Sequence, residues 1–578
     1  MKKIILIAAL AGLFVTTSCS NDLDQLPFDK LSPDVAFTSE KDLELYSNSF
    51  YKILPNGNDI VRGDNMTDYV IGRTINNYLT GTYTAYDSGG WSWSDLRNIN
   101  YFLEKFRGAT ISDKRKAHYE GLARFFRAWF YFDKVKRFGD VPWYNKTLAV
   151  DDTDLYKPRD SRELVMQKVV EDLDFAINNI EGGKDNSASR ITKQVALAFK
   201  SRVCLYEGTF RKYHTDLGLT GGATDWLKQA ANAADELMKM SSYRLNTVQG
   251  NQSYRNLFNK EAVEASEVIL AANASFAYRI FNDANWYYTS ATYGNRSNLT
   301  KSFVQTYLNA DGSRFTDKAG YESIPFWEEV KNRDQRLEQT IRMGEYKRDG
   351  QAAAPDFTYT YTGYQPKKLT LDSSATDGVA ENSNTLPIIR YAEVLLNYAE
   401  SRAELGEFTG ADWDRTIKLL RERAGITNSG MPTKVDEYLK QQFFPNVTDA
   451  NLLEIRRERG IELVLEGFRY DDLRRWKLGS LLMKTYDGMY VPAMNTPLDM
   501  NGDGKADVAF VTKVPANPQK GVYYYIIDNN QYKLSNGDSG KLILMDNLKR
   551  VYGEHQYVYP IPYSAIVLNG NLSQNKGW

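Results

Sequence analysis

Cysteine is nearly absent from this chain: its 578 residues hold two, Cys19 and Cys204. Two thiols cannot staple a body of that length, so a disulfide scaffold is excluded and a hydrophobic core must hold the fold. Histidine is as scarce. His118, His214 and His555 are too scattered to make a metal-spaced set. An excess of either charge is missing as well. The formal net charge is -1, which gives no electrostatic reason to bind nucleic acid or an anionic membrane surface. Beyond Val15 no stretch of about 20 apolar residues occurs, the length that a spanning helix needs.

What is present begins at the first residue. Lys2 and Lys3 precede a run from Ile4 to Val15 that is apolar throughout apart from Gly12. Thr16, Thr17 and Ser18 follow, then Cys19 and a polar, acidic stretch. That order describes an export signal. The cysteine at the cleavage point predicts a lipid-anchored protein: residues 1–18 are removed, Cys19 is acylated, and residues 19–36 form a tether containing Pro27 and Pro33. The alternative is an ordinary secretory peptide cut near Ser18. Cys204 lies in VALAFKSRVCLYEG and reads as a small buried hydrophobe rather than a nucleophile.

Aromatic residues are in excess, with 39 tyrosines, 26 phenylalanines and 10 tryptophans. Tyrosine and tryptophan join an apolar face to a polar edge. Sugar rings require that combination, because their C–H faces stack and their hydroxyls hydrogen-bond. Most of these rings must fill the core. In a neutral exported protein the remainder point to glycans or peptides as ligands.

Periodicity and capping signals predict helices over 38–54, 93–106, 112–138, 160–180, 192–210 and 223–241, and again over 388–406, 412–424 and 446–478. Residues 56–92 read as a polar loop region. The expected division is 37–244 for an N-terminal helical part, 245–385 for an inserted irregular lobe, 386–479 for C-terminal helix pairs and 480–578 for a loop-rich end. The fold class is therefore mostly α, with paired helices as in helical repeats but no strict repeat consensus.

Four stretches carry a family likeness: GLARFFRAWFYFDKVKRFGDVP (121–142), ITKQVALAFKSRVCLYEGTFRKYH (191–214), ERGIELVLEGFRYDDLRRWKLG (458–479) and YPIPYSAIVLNGNLSQNKGW (559–578), the last with PIP and a terminal QN-GW. Through them the chain resembles the SusD/RagB family of Bacteroidetes outer-membrane nutrient-binding lipoproteins, and matches run along the whole mature protein. The resemblance implies four tetratricopeptide-type helix pairs with an inserted loop-rich lobe containing short strands. It implies a non-catalytic body that binds oligosaccharides and covers the extracellular mouth of a SusC-like TonB-dependent transporter. It also implies that the Cys19 anchor sits in the outer membrane; Asp22 and Asp24 resemble the surface-export signal of such lipoproteins.

The charged motifs read as structural. Glu454, Glu458, Glu462 and Glu466 repeat every fourth residue, where like charges repel, and Arg456, Arg457, Arg459, Arg469, Arg474 and Arg475 are the expected partners. A glycosidase needs two carboxylates about 5–9 Å apart. Glutamates crowded by arginines have lowered pKa values, the wrong direction for a general acid. Glu120, Arg124 and Arg127 likewise read as a charged face.

Ligand contacts are expected in the loops. The candidates are Asp68, Arg73, Trp91, Trp93 and Asn98, and in the central lobe Trp286, Tyr287, Tyr288 and Tyr293 of NDANWYYTSATYG, read as an exposed stacking patch. In the family's starch binder, these two regions supply the glycan platform. The alternative is that one or two of the central aromatics anchor the lobe to the helices. DMNGDGKAD sets Asp499, Asn501, Asp503 and Asp507 in a calcium-loop pattern, with Gly504 for the turn and Lys505 for a backbone carbonyl. Phe510 stands where a bidentate glutamate is usual, so a structural Ca²⁺ and a metal-free turn both remain open; no other cofactor is expected. The leading function is glycan capture and delivery to the transporter. A peptide cargo, as in the RagB branch, is the alternative, and a surface glycosidase is the third.

Overall fold

The computed structural model describes residues 37–578 apart from 249 and 291; Cys19 and the rest of the signal and tether lie outside the described residues. Side-chain caps start the helices. Ser39 and Asp42 form a capping box on α1 (Glu40–Asn48). After α2 (Ser94–Lys105), Ser112 caps α3 (Asp113–Phe138), Ser161 caps α4 (Arg162–Asn179) and Thr192 caps α5 (Lys193–Tyr213). Gly139, at φ +74°, turns the chain out of α3. α6 (Ala223–Lys239) completes the N-terminal set. Consecutive helices pack on one another, α2 on α3, α3 on α4, and α5 on α6.

α3 is apolar on more than one stripe because it has helices on more than one side. Phe125, Phe126, Trp129, Phe130 and Phe132 are all buried, and Trp129 stacks on Phe199 of α5 with centroids 4.1 Å apart. The Glu120–Arg127 region is not the charged surface that the sequence suggests. Glu120 and Arg127 are buried, and Arg127 grips Asp172 of α4 through two N–H groups at 2.7 and 2.8 Å. Cys204 is fully buried in α5, where burial pushes its thiol up to about 12.

Strand Val268–Ala272 pairs antiparallel with Leu386–Arg390, so the irregular chain between them leaves and returns side by side. α7 (Tyr391–Glu404) follows that strand directly and packs on α5 and α6. α8 (Ile417–Arg423) and α9 (Ala450–Leu463) complete this layer. The helix expected over 446–478 is broken. Leu465 at φ +67° and Gly467 at φ +83° reverse the chain before α10 (Arg469–Arg475). Short strands dominate the remainder, in two three-stranded sheets built from residues 486–544. Among the described residues no helix is long and apolar enough to cross a membrane.

The glutamate column is neutralised, though mostly by cations the sequence reading did not choose. Arg421 serves Glu454 and Glu458, Arg336 serves Glu458 and Glu462, Arg390 and Arg423 converge on Glu462, and Arg390 and Lys368 hold Glu466. Of the expected partners, Arg457 alone meets the column, at Glu454. Arg456 turns to Glu404, Arg459 to Asp472, Arg469 to Asp68 and Arg475 to Glu400. Residues on one helix point in different directions, so sequence neighbours of a glutamate are seldom its spatial neighbours. All four carboxylates are buried; burial pushes the Glu462 carboxyl up, but the charges of Arg423, Arg390 and Arg336 outweigh it and hold Glu462 well below its usual range. A buried column whose every carboxylate is engaged by cations offers no open path to a substrate.

Candidate functional site

Trp91 and Trp93 stand just before α2. Their rings meet edge to face, 5.3 Å apart, and Trp91 packs on Phe138 at 4.9 Å. Trp93 abuts Phe130 and Tyr144 at 5.7 and 5.6 Å. Lys134 lies over the same rings, 5.5 Å from Trp93 and 4.8 Å from Phe130, and donates to the Gly90 carbonyl. Burial lowers this ammonium to about 8.

Asn100 fixes the opposite wall. Its Nδ2 donates to the carbonyls of Tyr144 and Lys146 at 3.0 and 3.2 Å, while the Tyr144 N–H donates to Tyr131 Oη at 2.6 Å. Arg97 adds a bond to the Leu148 carbonyl. The third wall is the C-terminal segment, and the PIP and QN-GW motifs explain its placement. Gln574 bonds both the N–H and the carbonyl of Ile561, at 2.8 and 2.9 Å. Asn575 Nδ2 donates to Phe138 and Tyr559 carbonyls at 2.9 and 2.7 Å, and Trp578 Nε1 reaches two more. These bonds hold the segment that brings Ala565, Leu568 and Leu572 to the same cleft as the tryptophans.

The result is an open cleft of about 510 Å³ lined by Trp91, Trp93, Tyr144 and Tyr156, with Ser94, Arg97, Asn100, Lys146 and Asn569 as its polar groups. No acidic residue lines it. Aromatic walls with a few polar groups are a lining suited to a ring-shaped, hydroxyl-bearing ligand.

The remaining sequence candidates are dispersed. Asn98 faces away from the cleft, accepting from Tyr46 and donating to Ser49 at 2.7 and 2.8 Å. Asp68 is buried in a two-point ion pair with Arg469, which gives it a role in holding the fold. The central aromatics do not form one exposed patch. Tyr287 and Tyr288 are buried; Tyr287 donates to Asn65, Arg62 lies over its ring at 5.2 Å, and Tyr288 faces the Val61 carbonyl at 3.4 Å. They anchor the lobe, as the sequence allowed for one or two of the set. Trp286 is half-buried against the core, and Tyr293 is 78% exposed. Arg73 meets the Tyr293 loop, its N–H donating to Asn295 at 2.8 Å and its guanidinium to Thr292. No hydrogen bond, ion pair or ring contact links this group to Trp91 or Trp93 among the described residues.

In the calcium-loop pattern the acidic side chains bond to backbone N–H groups of the turn. Asp499 accepts backbone N–H groups from Asn501, Gly502 and Gly504 at 3.2, 2.6 and 2.8 Å. Asn501 and Asp503 accept from the N–H groups of Asp503 and Lys505, and Asp507 from that of Met500. Among the described residues no three acidic, histidine or cysteine side chains are placed to share an ion. The sequence also gave no notice of Tyr144, Tyr156 and Asn569. The WY pair after Pro142 and the asparagines after the last helix are polar-aromatic signals, but only folding brings them to Trp91.

The described fold has known relatives. A SusD-like protein from Bacteroides fragilis superposes with a TM-score of 0.69 at 22% identity, covering 96% of this chain and all of that one. A SusD-like carbohydrate-binding protein from the same species gives 0.67 at 22%, covering 93% and 99%. A SusD-like protein of Formosa agariphila is 25% identical over 524 residues, covering 85% of this chain and 94% of that one. A family model described as starch-binding, associating with outer membrane, matches residues 64–205. The SusD family model matches residues 246–578, more than half of the sequence. The chain belongs to the SusD family, whose members bind ligands without catalysing a reaction.

Proposed function

We propose that this protein captures glycan at the cell surface and delivers it to a TonB-dependent outer-membrane transporter of the SusC kind. The Trp91/Trp93 cleft is its ligand site, and lipid at Cys19 is its anchor. The observation that carries the reading is the cleft: two tryptophans and two tyrosines around about 510 Å³, inside the range of roughly 300–1,000 Å³ of small-ligand pockets. The stretch matched by the starch-binding model contains all four of these rings. Relatives named as carbohydrate-binding and surface glycan-binding proteins share the fold. The buried, cation-engaged glutamates, with Glu462 held well below its usual range, speak against a glycosidase.

Selectivity comes from ring stacking and from hydroxyl bonds to Ser94, Asn100 and Asn569. Binding of the chain lacking residues 1–19 to a panel of polysaccharides and peptides tests this. Retention on at least one glycan is expected, weakened about tenfold or more by Trp91→Ala or Tyr156→Ala; a tenfold loss is about 1.4 kcal/mol. Retention on peptides and on no glycan would replace sugar by peptide as the cargo.

A further inference from the structure

Two buried cations of the inserted lobe, Arg342 and Lys367, meet no acid, and neither lines the Trp91/Trp93 cleft. Helix Gln335–Thr340 runs into an antiparallel bridge between Ile341 and Pro366. The Arg342 N–H donates to the Gln365 carbonyl at 2.8 Å, and the Lys367 N–H to the Thr340 carbonyl at 2.7 Å. These two bonds flank the bridge, so the side chains of Arg342, Gln365 and Lys367 leave the backbone on the same side of it. Tyr346 is common to both cations. Lys367 Nζ lies 4.3 Å and the Arg342 guanidinium 5.7 Å from its ring centroid.

The three side chains offer donors without acceptors. Arg342 is 5%, Gln365 1% and Lys367 6% exposed. Arg342 Nε and Gln365 Nε2 are buried without a hydrogen-bond partner. Gln365 Oε1 accepts the Asp356 N–H at 2.8 Å, which leaves the amide nitrogen as the free end. Neither the Arg342 guanidinium nor the Lys367 ammonium makes a hydrogen bond or ion pair among the described residues. Arg336, Arg390, Arg421 and Arg423, similarly buried, all meet carboxylates.

The acids of this region are engaged elsewhere. Asp372 accepts from Tyr346 Oη at 2.6 Å and from Arg255 at 2.7 and 2.6 Å. Asp377 pairs with Arg348, and Asp356 accepts the Thr358 N–H at 2.9 Å. Glu338 is exposed and forms no ion pair among the described residues. Burial, reinforced by the charge of Arg255, lowers the Lys367 ammonium to about 7, and burial lowers the Arg342 guanidinium too. An anion beside them favours the charged form of both. Three donor groups call for three acceptor oxygens. A carboxylate has two, whereas phosphate and sulfate have four. Side chains this enclosed can be reached by an ion and not by a polysaccharide strand.

We propose that Arg342, Gln365 and Lys367 form a binding site for a small tetrahedral oxyanion, inorganic phosphate or sulfate, within the inserted lobe. It adds a ligand of another class at another place and does not rest on the glycan reading.

Isothermal titration of the chain lacking residues 1–19 with sodium phosphate and with sodium sulfate gives the test, in Tris chloride at matched ionic strength. One saturable site is expected for at least one of the two, and binding of only one names the ion. Sodium acetate should bind at least tenfold more weakly. Joint Arg342→Gln and Lys367→Gln substitution should abolish binding, and Gln365→Met, which alters no charge, should weaken it about tenfold. Circular dichroism checks that each variant is folded, and Lys367→Gln alone serves if the double variant is not. Selenate in crystals of the parent gives a measurement that needs no variant: its anomalous peak is expected between Arg342 and Lys367. Absence of saturable binding by either ion overturns the proposal, the donors then being met by water. So does binding that acetate matches, binding that survives the arginine and lysine substitutions or Gln365→Met, or an anomalous peak confined to other residues.

Discussion

Arg469 donates from Nε and Nη2 to the two carboxylate oxygens of Asp68, each at 2.7 Å, across 401 residues of sequence. The pair joins the loop before strand Val70–Ile71 to the first residue of α10. Both side chains are buried, and Tyr69 stacks beside the guanidinium at 3.9 Å. Breaking such a pair strands a charge in a dry setting, which costs about 3–5 kcal/mol.

Asp68→Asn should therefore lower stability by about that amount in urea unfolding, while glycan retention at low temperature is kept. Unchanged stability with lost retention would return Asp68 to the ligand site.

Asp64 gives a pH dependence. One oxygen accepts the Leu465 N–H at 2.6 Å and the other has no partner. Burial raises the carboxyl from 3.8 to about 7, against the Leu465 bond and the charge of Lys368. The folded state thus keeps a proton that the unfolded state has already released above pH 4. Stability contributed by this group is present in acid and is lost as pH rises toward about 7. Asp64→Asn should flatten that fall, gaining on the parent by up to roughly 1 kcal/mol per pH unit between pH 4 and 7. Parallel stability curves for the two proteins would disprove the assignment.

The 499–507 turn should not need metal. Its carboxylates are spent on backbone N–H groups, so a chelator is expected to leave the unfolding temperature unchanged. A fall of several degrees on chelation, restored by Ca²⁺, would show that the loop regroups around an ion. Asp499→Ala should loosen this turn in hydrogen exchange without altering glycan retention.

Cys19→Ala tests the anchor directly. The variant should leave the membrane fraction and appear in the soluble or secreted pool. If it stays with the membrane as the parent does, acylation at Cys19 is not what holds the protein there.

The helices were legible because capping and periodicity are local. Ser39, Ser112, Ser161 and Thr192 mark starts, and Gly139 marks an end, each through atoms a few residues away. The buried role of Cys204 was legible for the same reason. Trp91 and Trp93 could be singled out as polar-flanked aromatics, and the cleft contains them. Tyr287 and Tyr288 looked the same in sequence, yet they are buried. Whether a ring faces ligand or core depends on which segment covers it, and the segment over Tyr287 comes from Arg62 and Asn65.

The sequence by itself determined the mostly helical class, the absence of disulfides, the neutral charge and the motifs that mark the family. These follow from composition and short-range pattern. Only the tertiary structure decided which arginine meets which glutamate and which aromatics share a wall. It also decided that Asp68 is paired with Arg469, far along the chain. Those are distances between remote residues, set by packing of the whole chain, and burial then decides whether each charge is satisfied or left to a ligand.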